Sequence, residues 1–162
     1  MRKITADTSH VEHIVPQSVC KPGEDVAYSN MLAVCDGNEG MGSADALTCD
    51  RARRDRALVV NSLKPETLKG IQYHRNGEID STDGATRRDL CEILNLNCGA
   101  AYLPQNRRAV IEALDKWLER AARRGNVVAA CKKRRDDIIK SETKPEFAGV
   151  LIYFLDRRIR RG

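Results

Sequence analysis

A Glu-His pair opens the segment of the sequence that is most informative about chemistry. Glu12 and His13 lie in Val11-Glu12-His13-Ile14-Val15-Pro16, and Asn30 follows seventeen positions after His13. Imidazole titrates near neutral pH, so His13 is suited to take a proton from water. A carboxylate such as Glu12 is a ligand that Mg²⁺ or Mn²⁺ prefers. These residue types predict metal-assisted hydrolysis of a phosphodiester, with Asn30 bracing the imidazole or its loop.

A second hard oxygen ligand is expected at the start of a short helix. Asp50 would supply it, and Asn38 is the alternative to Asp50. Glu12 and His13 are neighbours on a predicted strand, where successive side chains point to opposite faces. Both could therefore reach one cation only across a bend or bulge in that strand.

Three arginines follow on the same predicted helix, namely Arg51, Arg53 and Arg54. Because a guanidinium binds phosphate oxygens in pairs, we expect these arginines to hold nucleic acid beside the site.

Positive charge is concentrated at the end of the chain. Residues 1–116 carry a net charge of −2 and residues 117–162 a net charge of +7, which together give the formal +5. A basic surface attracts a phosphate backbone without reading its sequence. The C-terminal part is therefore a candidate nucleic-acid surface, and an ordinary solvated helix face is the alternative.

Six cysteines occur, and no two of them form a Cys-x-x-Cys pair. In a reducing compartment they are expected to be buried thiols or metal ligands rather than disulfides. Cys91, Cys98 and Cys131 lie on apolar helical faces or beside a glycine, which predicts buried thiols.

Hydrophobic periodicity predicts short strands first and helices afterwards. Residues 11–15 and 31–34 are strand-like, and residues 49–58 are a candidate helix. The dipeptide Asn76-Gly77 predicts a hairpin over residues 71–80 with a type I′ turn.

From residue 86 the apolar spacing becomes helical. A long amphipathic stripe covers residues 110–121, and Gly125 is placed to end that helix. The apolar run Val150–Leu155 needs covering, either by a partner or within the protein's own core. It is far shorter than the ~20 residues that span a bilayer. With no apolar leader visible at the N-terminus, a cytoplasmic protein without membrane contact is expected.

The order of these motifs resembles that of HNH endonucleases of the ββα-metal class. Their general pattern is an acid-His-apolar-x-Pro strand, an Asn-Leu-x-x-x-Cys second strand and a helix that begins with Cys. The segments Tyr73–Ile79, Leu94–Asn97 and Arg107–Val110 are similar to one HNH group, the nuclease subunits of Septu-type anti-phage systems, including those found beside retrons. The similarity covers roughly residues 8–115.

The resemblance implies an α+β chain with an HNH ββα-metal module in residues 1–62 and a hairpin plus a mostly helical, basic region in residues 63–162. It implies a metal-dependent endonuclease with His13 as base and Mg²⁺ or Mn²⁺ as cofactor. The rival interpretation is a catalytically degenerate subunit that binds nucleic acid or acts as a scaffold.

The resemblance also implies partners. Subunits of this group are understood to work with an ABC/AAA-like ATPase, and some with a retron reverse transcriptase and its RNA–DNA product. The chain has no G-x-x-x-x-G-K-[ST] motif, which agrees with an ATPase on another chain. DNA is expected as the substrate ahead of RNA.

Two departures from the family pattern concern metals. Related proteins usually carry a Cys-x-x-Cys pair just before the segment that aligns with residues 2–5, and that pair would complete a Cys₄ zinc knuckle with Cys35 and Cys49. The sequence begins at Met1, after the expected pair, so structural zinc stays open, with Cys20 or His10 as substitute ligands. Thirteen residues separate Cys35 from Cys49 where many HNH proteins have two, which leaves Asp50 and Asn38 as alternatives for the third site residue.

Overall fold

The computed structural model describes residues 4–41 and 43–162. The described chain divides into two compact units. The first unit comprises residues 4–72 and 79–104, and the second comprises residues 73–78 and 105–162. The boundary expected at residue 62 therefore falls inside the first unit. Residues 1–3, beside which the missing zinc ligands were expected, lie outside the described residues.

The strands and helices follow the chain in the order β1 (Ser9–His13), β2 (Met31–Cys35), α1 (Cys49–Arg53), β3 (Ile71–Tyr73), β4 (Ile79–Ser81), α2 (Gly84–Arg88), α3 (Leu103–Arg123), α4 (Val127–Lys140) and α5 (Ala148–Arg160). A π-helical turn, Asp89–Ile93, continues α2. Short 3₁₀ turns occupy Ala6–Thr8, Gln17–Val19, Tyr28–Asn30, Glu39–Met41, Ala44–Ala46 and Pro65–Leu68. The expected α+β class is confirmed: the described chain is mostly helical and has two small antiparallel sheets.

β1 and β2 form an antiparallel pair whose register runs from Ser9 opposite Cys35 to His13 opposite Met31. Pro16 follows β1 at a point where a ladder hydrogen bond is no longer needed. α1 ends earlier than the sequence predicted, because Arg54 takes a left-handed φ of 54° and stops the helix.

The first unit has its own small core, formed by Ala46, Ile79, Leu90, Ile93, Leu96, Cys98, Ala101 and Leu103. The π-helical turn supplies part of it, and its wider winding is closed by a hydrogen bond from Leu94 N to Asp89 O at 2.8 Å. Leu90 and Ile93 are buried in this turn, and Leu94 just after it is partly buried.

The turn between β3 and β4 differs from the predicted type I′ form. His74 N donates to Glu78 O at 2.9 Å, and Gly77 N donates to His74 O at 3.0 Å. Gly77 has a φ of 90°, whereas Asn76 is not at positive φ. The loop thus contains three residues rather than two, and in such loops only the last position takes the left-handed conformation that glycine allows.

The second unit is helical and buries α3, α4 and α5 against one another. Its core consists of Ile111, Leu114, Cys131, Ile138, Phe147, Val150, Leu151, Phe154 and Leu155. The run Val150–Leu155 is therefore covered mainly by the protein itself, which removes the reason for expecting it to dock on a partner. Gly125, with a φ of 122°, lies just beyond α3 as predicted. No helix in the described residues is long and apolar enough to cross a membrane.

Candidate functional site

His13 is the last residue of β1, and its ring is held by the loop that joins the two strands. Ring Nε2 lies 2.8 Å from the main-chain oxygen of Asp25. A carbonyl oxygen only accepts, so Nε2 carries the proton of the neutral imidazole. The lone pair is then on Nδ1, which leaves that nitrogen as the one able to take a proton.

Asn30 fastens the same loop at its base. Its Oδ1 accepts from Val15 N at 2.8 Å, and its Nδ2 donates to Val15 O at 3.3 Å and to Glu24 O at 3.2 Å. Its main-chain oxygen accepts from Ile14 N at 2.8 Å. The side chain is buried, and its bond to Glu24 O holds the segment next to Asp25, whose oxygen faces His13. Asn30 therefore holds the connection between β1 and β2, and its role in bracing the imidazole stays a prediction.

Glu12 points away from His13. The register of β1 and β2 is continuous through both residues, so the strand has no bulge there and successive side chains alternate. Glu12 Oε1 accepts instead from Arg53 Nη1 at 3.2 Å. The structure does not bring Glu12 and His13 to a common point.

Arg53 is the centre of a buried network rather than an open phosphate ligand. It is only 3% exposed. Its Nη1 donates to His13 O at 2.6 Å, its Nη2 to Ile14 O at 2.8 Å and its Nε to Arg56 O at 2.7 Å. With these donors engaged, Arg53 joins α1 to the end of β1.

The other two predicted phosphate ligands lie nearer the surface. Arg51 forms an ion pair with Glu39 at 2.7 Å, and Arg54 is exposed. Both line an open cavity of about 770 Å³, together with Arg56, Asn95 and several small or acidic residues. Glu12, His13 and Asn30 are not among the residues that line it.

Asp50, the second residue of α1, has a carboxylate that is largely buried. Its side chain is 7% exposed, and Oδ1 has no hydrogen-bond partner among the described residues. The nearest opposite charge to Oδ2 is Arg51 Nε at 3.9 Å. A buried oxygen without a partner is costly unless something else, such as a cation, engages it. Asn38, the alternative to Asp50, donates from Nδ2 to Ala46 O at 3.2 Å and so braces its own loop.

Cys35 and Cys49 are brought together, one at the end of β2 and one at the start of α1. Their sulfurs are 3.5 Å apart and both are free thiols. The hydrogen bond between them lowers the pKa of Cys35 to about 6, and raises the pKa of Cys49 above its ordinary value. Cys20 lies elsewhere, with its sulfur 3.4 Å from both Val15 O and Asn30 Nδ2.

The thirteen residues between the two thiols form a closed loop. Thr48 N donates to Gly37 O at 2.9 Å, directly beside the sulfur pair. Gly37 has a φ of 56°, and a Cβ there would clash with the main-chain oxygen of Thr48. Glycine is therefore required for this approach. The close approach of Gly37 to Thr48 lets the two sulfurs be adjacent although thirteen residues separate Cys35 from Cys49 in the sequence.

Several long-range contacts that position this site were not predicted from the sequence. Cys49 N donates to Leu94 O at 2.9 Å, and Asn95 Nδ2 donates to Leu47 O at 3.0 Å. The buried carboxylate of Asp89 accepts from Val59 N at 2.6 Å and Val60 N at 2.9 Å. These contacts connect the π-helical turn and the two residues that follow it to α1 and to residues on either side of α1. Their sequence separation of about 30 to 50 residues hides them from local pattern analysis.

The fit to metal ions differs between the two expected sites. Across residues 4–41 and 43–162, no three His, Cys, Asp or Glu side chains converge closely enough to hold a metal ion. Glu12, His13 and Asp50 form no such group within the described residues, and the Mg²⁺ or Mn²⁺ site stays a prediction. Cys35 and Cys49 are placed as two adjacent sulfur ligands, which is half of a tetrahedral zinc site.

Comparison with known proteins returned no match: no protein-family model, no curated protein and no solved structure is similar to this chain.

Proposed function

We propose that the first unit is an HNH-type endonuclease that hydrolyses nucleic-acid phosphodiesters with His13 as general base. One observation carries the proposal: the imidazole of His13 is oriented by Asp25 O at 2.8 Å, in a loop that Asn30 holds through side-chain hydrogen bonds to Val15, Cys20 and Glu24. An imidazole held in one tautomer by a main-chain acceptor is a common arrangement for a base in hydrolysis.

The chemistry assigned to His13 is proton removal from water. Nδ1 accepts the proton, the hydroxide attacks phosphorus, the phosphorus–oxygen bond to the leaving nucleotide breaks, and the leaving oxygen takes up a proton. A positioned base contributes about 10²–10⁴-fold to such a rate. Asn30 contributes by keeping the ring in place, so its loss would lower turnover through His13.

In enzymes of this class Mg²⁺ or Mn²⁺ neutralises charge on the scissile phosphate. The donors present do not assemble a complete site for such an ion, since Glu12 pairs with Arg53 and no three suitable side chains converge within the described residues. Asp50, with an unpartnered buried oxygen, is the candidate ligand that the structure favours over Asn38.

The resemblance of the motifs also supports a place in an anti-phage complex, with an ABC/AAA-like ATPase and, in some systems, a retron reverse transcriptase and its RNA–DNA product. The nuclease should accordingly be tested both alone and in that complex.

The experiment compares the wild-type chain with His13→Ala and His10→Ala. His10 lies on the same strand, opposite Val34, and is a matched control for loss of an imidazole. Supercoiled plasmid and single-stranded RNA are each incubated with Mg²⁺, Mn²⁺ or EDTA. Metal-dependent cleavage that His13→Ala abolishes and His10→Ala preserves supports the proposal. Cleavage that survives His13→Ala in the assembled complex overturns the assignment of the base.

The second candidate is a degenerate HNH-like subunit that binds nucleic acid without cutting it. The pairing of Glu12 with the buried Arg53 favours this candidate, because it withdraws one expected metal ligand. Retardation of nucleic acid in gels, without cleavage under any of the metal conditions, would identify it.

A further inference from the structure

The second unit contains a groove that is chemically distinct from the His13 region. It has a volume of about 330 Å³ and lies between the C-terminal part of α3 and the beginning of α4. That volume is at the lower end of the ~300–1,000 Å³ typical of ligand sites. The groove is lined by Trp117, Arg120, Ala121, Arg124, Asn126 and Ala130.

The charged lining of this groove is entirely positive. Arg120 and Arg124 are both exposed, and neither has an acidic side chain within ion-pairing distance anywhere in the described residues. Arg120 donates from Nε to Lys116 O at 3.2 Å, which anchors the base of its guanidinium. Because the guanidinium of Arg120 is anchored and has no acidic partner, it is suited to a bidentate contact with an external anion.

A third arginine adjoins the groove through the indole of Trp117. The guanidinium carbon of Arg134 lies 4.4 Å from the Trp117 ring centroid, a cation–π distance. Arg134 Nη1 is buried and has no hydrogen-bond partner among the described residues. A buried donor without an acceptor is costly, and an anion entering beside Trp117 would supply the acceptor.

Neighbouring charge favours a polyanion over a single carboxylate. Arg123 adjoins Arg124 at the end of α3, and Lys132 and Lys133 follow Ala130 on α4, all three exposed. A strand of phosphates carries a negative charge at every nucleotide, so a string of basic side chains can each engage one.

We propose that this groove binds the phosphodiester backbone of nucleic acid through Arg120 and Arg124, with Arg134 as a supporting cation on Trp117. The inference goes beyond the proposed hydrolysis, because the groove lies in the other unit and requires no catalysis. It assigns the second unit a binding function of its own.

Trp117 gives a local readout, since it is the single tryptophan of the chain. The full chain, carrying His13→Ala and kept in EDTA so that nothing is cut, is titrated with single-stranded DNA, duplex DNA and RNA. Both the Trp117 emission and the anisotropy of labelled oligonucleotides are recorded. We expect the two signals to change together with one dissociation constant.

The test variant is Arg120→Ala/Arg124→Ala, and the matched control is Arg160→Ala/Arg161→Ala, which removes the same charge from exposed arginines at the end of the same unit. The groove variant should bind about 10-fold more weakly or worse, and lose about one to two from the slope of log K against log salt. The control should stay within about 3-fold. Arg120→Lys/Arg124→Lys, which keeps the charge but not the fork, should fall between them.

Three results would overturn the proposal. One is equal weakening in the groove variant and the control, which would reduce the effect to net charge. Another is tight binding that leaves Trp117 emission unchanged, which would place the nucleic acid elsewhere. The third is displacement of oligonucleotide by poly-glutamate at equal charge concentration, which would identify an acidic protein segment as the occupant. None of these results depends on whether His13 is catalytic.

Discussion

Arg53 donates a hydrogen bond of 2.6 Å to the main-chain oxygen of His13. The helix that begins at the thiol pair is thereby tied to the strand that carries the candidate base. Arg53 was expected to bind nucleic acid, but its guanidinium instead holds the main chain of His13, the candidate base. Arg53 and His13 should therefore be coupled in stability and activity, and this coupling can be measured.

Replacing Arg53 should destabilise the fold much more than replacing its neighbour. Arg53→Ala leaves the carbonyl oxygens of His13 and Ile14 without their donor and the half-buried Glu12 without its cation. We expect a loss of about 2–4 kcal/mol in the free energy of unfolding, measured by urea denaturation. Arg54→Ala, at an exposed position, should change it by less than about 0.5 kcal/mol. Equal effects of the two substitutions would contradict the network described for Arg53.

Asn30→Asp tests the clamp on the loop while preserving its shape. The substitution removes the donor that Asn30 Nδ2 provides to Val15 O and Glu24 O, and it brings a carboxylate against both oxygens. We expect a loss of about 1–3 kcal/mol in unfolding free energy and faster amide exchange at Val15. In the nuclease assay, turnover should fall with little change in affinity for nucleic acid. Unchanged exchange at Val15 would show that the loop does not depend on this amide.

Asp50→Ala separates a functional carboxylate from a structural one. Because Oδ1 is buried without a partner in the described residues, removing the side chain should cost the fold less than about 1 kcal/mol. Metal-dependent cleavage should nevertheless be lost if Asp50 is a ligand. Thermal unfolding and plasmid cleavage are measured on the same preparation. A strongly destabilised variant would mean that Asp50 supports the fold in a way these contacts do not explain.

The thiol pair should show a characteristic pH dependence. The hydrogen bond with Cys49 stabilises the Cys35 thiolate and lowers the pKa of Cys35 to about 6. A group with a lowered pKa is ionised above that value, so alkylation of Cys35 by iodoacetamide should rise between about pH 5 and 7 and then level off. Because folding lowers the pKa of Cys35, ionisation of this thiol contributes to the free energy of unfolding. This contribution is fully present above the unfolded pKa near 9 and is lost as the pH falls toward 6.

Cys49→Ala is the matched test of that dependence. Removing the donor should move the alkylation midpoint of Cys35 upward toward the ordinary thiol value. Mass spectrometry of each labelled peptide, in metal-free buffer, distinguishes Cys35 from Cys20. A midpoint that does not move in Cys49→Ala would exclude the thiol hydrogen bond as the cause.

Local patterns were sufficient for the elements that carry the candidate base. The alternation around His13, the apolar run after Asn30 and the stripe before Gly125 each predicted an element that the structure contains. These signals are local, since the hydrophobic pattern of a strand or an amphipathic helix lies within consecutive residues. The placement of Asn30 beside the His13 loop followed from the pairing of two such strands.

Long-range side-chain contacts could not be read in the same way. Nothing in the spacing of Arg53 indicates that its guanidinium meets carbonyl oxygens about 40 residues earlier. The early end of α1 at Arg54 and the three-residue loop before Gly77 depend on backbone conformations that several sequences can adopt. The nuclease assignment and its partners stay predictions, because no protein of known function matches this chain.

The hydrogen bond between Gly37 and Thr48 closes the loop at its neck and gives the protein a tolerant insertion point. Residues added next to Gly40 should have little influence on the sulfur pair, since added length raises the closure entropy only slowly. A short epitope or a fluorophore-bearing peptide placed after Gly40, where a side chain would meet open space, should leave the geometry of Cys35 and Cys49 intact. Lineages could lengthen or shorten this excursion by the same route without rebuilding the neighbouring strands.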